Sequence, residues 1–298
     1  MSDQGKLAPR DLGAFVLVAL IWGSTWLVIK DQIGTVPPSW TIAYRFIAAT
    51  AGMVLLAGLR RESLRLQGGL VPLVVLVGVT QFVGNFHFVY RAEHYLTSGI
   101  VAVFYATLMV PNAVLARIFL KAPLGGRFLA GSAVALAGVA LLLLNEYRLA
   151  PPGGQVPLGI ALMLGGLVAA SIANVLQATE VARRTPVVPL LAWAMGIGAA
   201  IDIAIALAVD GAPVFETRPA YWAGVLYLGL IGSVLTFPLY FGLIRSMGPG
   251  KAAYNGVLTP VVAMALSTLF EGYRWSGLAV GGSVLAMIGL LIALSGRK

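Results

Sequence analysis

The chain has no cysteine among its 298 residues. That absence removes disulfides, thiolate metal sites and cysteine nucleophiles together. Charge is scarce as well: 10% of residues are Asp, Glu, Lys or Arg, against about 25% in a soluble domain. Histidine occurs only at His87 and His94, so no pair sits at ligand spacing on one helix, and neither a metal nor a cofactor is expected. What the chain has in abundance is apolar length. Hydrophobic residues make up 59%, and the mean hydropathy is +0.91.

Stretches of about 20 apolar residues are long enough to cross a hydrocarbon core. They recur at roughly 11–30, 39–59, 69–90, 97–118, 126–144, 157–179, 187–209, 219–243, 252–270 and 277–296. The pattern predicts an all-α membrane protein with ten transmembrane helices. The first stretch reads as a retained span, because "GSTWLVIK" offers no small-residue cleavage site.

The formal net charge of +9 would suggest nucleic acid if it were taken alone. Its distribution argues for topology instead. Alternate loops carry clusters, such as Arg60/Arg61/Arg65 and Arg117/Lys121/Arg127, while the loops between them carry single cations: Lys30, Arg91, Arg148, Arg218 and Arg274. Basic residues concentrate on the cytoplasmic side, so both termini are expected there, in a cell inner membrane. The partners expected are a lipid bilayer and a small-molecule substrate, with no nucleic acid and no required oligomer.

Near the centre, "NEYRLAPPGGQVP" interrupts the apolar pattern. On either side the sequence repeats. "YATLMVP" (105–111) matches "YNGVLTP" (254–260), and "GSAVALAG" (131–138) matches "GSVLAMIG" (282–289). The halves are 1–149 and 150–298. Each holds five spans, an odd number, so the second copy inserts upside down relative to the first, as in many carriers.

The stretch "YFGLIRSMGPGKAAYNGVLTPVVAMALSTLFEGYRW", followed by "GGSVLAMIGLLIAL", resembles the C-terminal repeat of the drug/metabolite transporter superfamily. "VALIWGSTWLVIK" is similar to that family's first helix, and "PPSWTIAYRFIAA", with its Arg45–Phe46 pair, to its second. The resemblance covers essentially the whole chain. It implies ten helices in two inverted five-helix repeats, alternating access, and export, with bacterial exporters of aromatic and other neutral amino acids as the branch suggested. One departure is local: the acidic residue often found after helix 4 is Ala122 here, whereas Glu271 keeps it after helix 9.

Polar residues inside the spans mark the candidate site, since lipid cannot satisfy them. On an ideal helix, Thr80, Gly84, His87 and Arg91 align, with Gln81, Asn85 and Phe88 alongside, over an arc of roughly 160°. Helix 6 carries Asn174 and Gln177; Trp22, Tyr105, Tyr240, Tyr254 and Asn255 add indole, phenol and amide groups from four other helices. Together they suit an amphipathic substrate with an apolar side chain and a polar head. Two roles fit His87: bonding or titrating at a substrate, or locking helix packing. His87 and Asp202 are the candidates for proton coupling. Glu93 and His94 read as a solvated outer loop, and Arg45 as a side chain that snorkels or pairs near the outer surface.

Candidate hinges are Gly84 and the mid-helix prolines Pro111, Pro238 and Pro260, each proline removing one helical hydrogen bond. Gly131/Ala135 and Gly282/Ala286 place small residues at i, i+4 on helices 5 and 10, as in closely packed pairs. An intramembrane enzyme would need a nucleophile with its base, a carboxylate pair or a metal cluster, and the spans offer none. Phosphorylated substrates would want several cavity cations. Export of lipophilic drugs or lipids remains the alternative to amino acids. If both termini are cytoplasmic, alkaline phosphatase fused after Lys298 will be inactive and a fluorescent protein at the same position bright; the opposite pair of results would overturn the topology.

Overall fold

A computed structural model describes residues 9–149, 154–243 and 255–295. Helix is the only regular structure among them. Eight helices are long and apolar enough to cross a membrane. These are α1 (Pro9–Gln32), α2 (Pro38–Leu59), α3 (Gly68–Ala92), α4 (Ser98–Leu120), α5 (Gly126–Leu149), α6 (Val156–Gln177), α7 (Val187–Val209) and α8 (Pro219–Leu243). Two shorter apolar helices follow, α9 (Asn255–Phe270) and α10 (Gly277–Ser295). A single turn, Glu180–Arg184, links α6 to α7, and the Thr179 hydroxyl caps it by accepting from the Ala182 amide.

The starts of these helices are written locally. Proline stands in the first turn of α2 and α6, and again in α8, where its fixed φ is already helical and its missing N–H is not needed. Large apolar side chains face outward: Leu55, Leu59, Phe119 and Val209 are all exposed. A water-soluble monomer does not display that much apolar surface, and the chain is a multi-pass membrane protein.

Packing partners come in matched pairs. Helix α1 lies against α8 and α9, and α6 against α3 and α4; α2 lies against α8, and α7 against α3. The most intimate contact joins α5 to α10. A β-carbon at Gly131 would fall 2.2 Å from the Ala293 amide nitrogen, and one at Gly138 equally close to that of Ala286. Conversely, a β-carbon at Gly282 would meet the Gly138 carbonyl at 2.8 Å, and one at Gly289 the Ala135 nitrogen at 2.1 Å. Residue numbers rise along one helix as they fall along the other, so the pair is antiparallel and the contact reciprocal. Glycine is required because backbone meets backbone.

Two spans depart from regular α-geometry. Residues Gly78–Gly84 of α3 and Tyr227–Leu235 of α8 wind as π-helix, a wider turn often found at functional positions. Each packs a glycine onto a neighbouring carbonyl. The β-carbon position of Gly78 is 2.8 Å from the Ala194 oxygen on α7, and that of Gly229 is 2.9 Å from the Arg45 oxygen on α2. Helix α4 is interrupted at Thr107–Leu108. There the Leu108 and Val110 amides donate to Tyr105 and Thr107 in short i to i−3 bonds. Pro111 lies four residues after Thr107, so its ring excludes the regular bond to that carbonyl. A methyl group at Gly289 must push α5 and α10 apart. Gly289→Ala should therefore cost about 1–3 kcal/mol, read as a lower melting temperature in detergent, whereas Gly281→Ala, with open space around it, should melt like the parent.

Candidate functional site

A cavity of about 130 Å³ lies within the bundle, lined from α1, α2, α3, α4, α6, α8 and α9. Aromatic rings form much of its wall. Trp22 of α1 meets Tyr240 and Phe237 of α8 at centroid separations of 4.8 and 5.6 Å, and Trp26 meets Tyr105 of α4 at 5.2 Å. Polar bonds fix these rings. The Trp22 indole N–H donates to the Thr236 hydroxyl at 2.9 Å, and the Tyr105 hydroxyl donates to Asn85 Oδ1 at 3.1 Å. The Thr236 hydroxyl in turn donates back to the Gly232 carbonyl at 2.6 Å.

Amides gather in another part of the lining. Asn112 Oδ1 accepts from the Ser171 hydroxyl at 2.6 Å and from Asn174 Nδ2 at 3.3 Å, joining α4 to α6. Asn255 Nδ2 donates to the Phe15 carbonyl at 2.9 Å, joining α9 to α1. The three amides, Asn112, Asn174 and Asn255, serve both the bundle and the cavity, and so stay at membrane depth with at least one partner.

Seven of the residues that the sequence nominated for substrate contact line the cavity: Trp22, Gln81, Asn85, Tyr105, Asn174, Tyr240 and Asn255. Pro260 lines it too. Three lie elsewhere. His87 turns toward α7, the half-exposed Phe88 ring stacks over Gly165 of α6, and Gln177 is buried outside the lining. Tyr254, together with Lys251, lies outside the described residues. The divergence on α3 has a geometric cause. A periodicity of 3.6 residues per turn does not hold through the π segment, so the face beyond Gly84, where that segment ends, is rotated. On the α-helical turns that follow, Asn85 and His87 stand about 200° apart, so one edge of the polar arc faces the cavity and the other faces α7. Among the other hinge candidates, Pro238 follows the π segment of α8 and Pro111 follows the break in α4.

The structure adds residues that the sequence did not nominate. Trp26 stands one turn from Trp22, and that spacing was its signal. Asn112, an amide inside an apolar span, was another legible sign. Arg45 is the largest correction. Rather than snorkelling to the outer surface, it is buried and lines the cavity. Its guanidinium carbon lies 4.4 Å from the Phe86 ring centroid, and Nη1 and Nη2 donate to Tyr90 and Ser233, each at 3.3 Å.

A second polar cluster ties α3 to α7 and α2. His87 Nε2 is 3.0 Å from Asp202 Oδ1, and His87 Nδ1 is 2.6 Å from Arg91 Nη1. An arginine N–H can only donate, so Nδ1 carries the lone pair and Nε2–H donates to the carboxylate. Arg91 also reaches the Ser39 hydroxyl at 3.2 Å. His87 thus relays between a cation and an anion within the bundle. Beyond α3, Glu93 is fully buried rather than solvated, while His94 is exposed. Burial holds the Glu93 carboxyl well above the usual carboxylate range, opposed by the charge of Lys30, whose ammonium caps the Glu93 and Leu96 carbonyls.

A multi-pass helical protein with an aromatic, amide-lined internal cavity has the architecture of a membrane carrier. The profile of the EamA-like transporter family matches the chain twice, over residues 12–144 and 157–295. The chain belongs to that family, which lies within the drug/metabolite transporter superfamily, and is a transporter rather than an enzyme. It is 31% identical to the uncharacterized inner membrane transporter YedA of Escherichia coli, over 93% of this chain and 89% of that protein. It is 23% identical to protein PagO of Salmonella typhimurium, over 95% and 92%. A further Salmonella typhimurium protein, named "Probable amino-acid metabolite efflux pump", is 24% identical over 95% and 94%. One solved crystal structure superposes with a TM-score of 0.71 at 19% identity, covering 97% of this chain and 98% of that one.

The relay around His87 generates its own test. Asp202→Ala leaves the buried imidazole N–H without its acceptor and should cost about 1–3 kcal/mol. Asp202→Asn keeps an oxygen to accept from Nε2 and should lose much less. Thermal unfolding in detergent separates the two; equal melting temperatures would show that the relay contributes nothing to stability.

Proposed function

We propose that the chain is an inner-membrane exporter of neutral amino acids, aromatic ones included, working by alternating access through the central cavity. In this reading ten helices form two five-helix repeats, 1–149 and 150–298, inverted relative to each other, with both termini in the cytoplasm. The observation that carries the proposal is the cavity's lining. Indole, phenol and amide groups from α1, α3 and α4 of one half meet others from α6, α8 and α9 of the other. Such a site offers flat apolar walls to a side chain and fixed polar groups to a head group.

Several observations support the repeat. The family profile matches each half separately. The third span of each half carries a π segment, each with a glycine against the second span of the opposite half. The reciprocal contact of α5 with α10 is the contact a two-fold axis in the membrane plane would produce. Exchange of conformation between the halves would open the cavity first to one side and then to the other. Export and inner-membrane placement follow the names of the relatives, because no residue encodes direction. His87 and Asp202 stand away from the cavity lining, so in this reading any proton coupling acts through the packing of α3 on α7.

The test is exchange by purified protein in liposomes preloaded with unlabelled amino acids, with and without a pH gradient. Labelled tryptophan, phenylalanine or methionine is expected to exchange. Asn85→Ala, which removes the acceptor of the Tyr105 hydroxyl, is expected to reduce that flux about tenfold, the size of one to two lost hydrogen bonds, with normal expression and melting. No exchange of any amino acid by folded protein would discard this substrate class.

A further inference from the structure

We propose that Arg45 makes the cavity a site for anions: the substrate's carboxylate is the head group recognised, and its ammonium group is dispensable. The inference rests on the cavity being the transport site, and it extends the substrate class from neutral amino acids to amphipathic monocarboxylates in general.

Among the described residues that line the cavity, Arg45 is the one charged side chain. An arginine side chain keeps its charge in proteins, and a charge so buried requires compensation. What surrounds this one is neutral. Two hydroxyls accept from its Nη atoms at 3.3 Å, at the long end for such bonds. The Phe86 and Phe46 rings stand 4.4 and 5.5 Å from the guanidinium carbon. No carboxylate lies within ion-pairing distance of it among the described residues. Ring faces and hydroxyls temper a cation without neutralising it.

A second observation points the same way. Of the lining residues, two carry a buried side-chain polar atom without a hydrogen-bond partner: Arg45, at Nε, and Trp26, at its indole nitrogen. Both atoms are donors without an acceptor, which a ligand can supply. A carboxylate brings negative charge and up to four acceptor directions, and it fits the planar guanidinium fork. A ligand ammonium, by contrast, finds no carboxylate in the described lining, whose polar oxygens belong to neutral amides and hydroxyls. The position matching Arg45 in the second half, by its contact with the glycine of the opposite π segment, is Ala194. The fixed charge therefore belongs to one half alone.

Three ligands sharing the indole ring decide the matter: tryptophan, indole-3-acetate and tryptamine. Each is tested as a competitor of labelled tryptophan exchange, and by direct binding to the purified protein. Indole-3-acetate is expected to bind about as well as tryptophan, and tryptamine at least roughly tenfold more weakly, the scale of one charged hydrogen bond. Arg45→Gln should erase that discrimination, while Arg45→Lys retains part of it. Melting curves check that both variants fold, and if Arg45→Gln does not, the parent protein's ligand series decides alone. Tryptamine competing as well as indole-3-acetate would overturn the anion site while leaving amino-acid transport standing. Binding of indole-3-acetate, with no binding of tryptamine and no exchange of tryptophan, would uphold the anion site and discard amino acids. Binding of none of the three would overturn both.

Discussion

Lipid offers no hydrogen bonds, and that constraint governs every polar atom in this bundle. It makes helix the regular structure of the described chain. It also explains why the polar side chains of the interior hold one another across helices. Trp22 is tied to Thr236, Tyr105 to Asn85, Asn112 to Ser171, and His87 to Asp202. Each bond does more than satisfy a donor. It sets the azimuth of a helix, and several such bonds from different helices define a cavity whose walls cannot be moved independently. Where partners run short, at Arg45 and Trp26, the same constraint becomes a demand that a ligand can meet.

The helices were largely legible in the sequence, because a span must be apolar for about 20 residues and nothing else in a water-soluble chain looks like that. The starts of α2, α6 and α8 could be read from first-turn prolines, and the closeness of α5 and α10 from Gly131 and Gly282. Candidate pocket residues were legible as amides and indoles in places where packing alone would favour leucine. What could not be read was azimuth. Asn85 and His87 are two residues apart, and the sequence set both on one polar face. Two residues are about 200° of an α-helix, so the pair marks the two edges of that arc, Asn85 facing the cavity and His87 facing α7. Nor does anything in the composition of residues 78–84 announce the wider turn found there.

Arg45 and Glu93 escaped for a related reason. A charge near the end of a span is, by distance along the chain, equally able to reach water or to turn inward. Phe86, Tyr90 and Ser233 decide the first case from α3 and α8, and burial beneath the α1 and α3 ends decides the second. Contacts of this kind depend on helices far apart in sequence, which periodicity within one segment cannot represent.

The reciprocal glycines of α5 and α10 have a consequence for descent. Gly131 and Gly138 are bare because of backbone on α10, and Gly282 and Gly289 are bare because of backbone on α5. A mutation at one of these positions cannot be repaired by its sequence neighbours; the accommodation must come from the other half of the gene. No such bond ties Arg45, which lines the cavity, to Ala194, the residue that meets the glycine of the other π segment. Inheritance is therefore joint along the seam, where a change in either helix has to be met by the other.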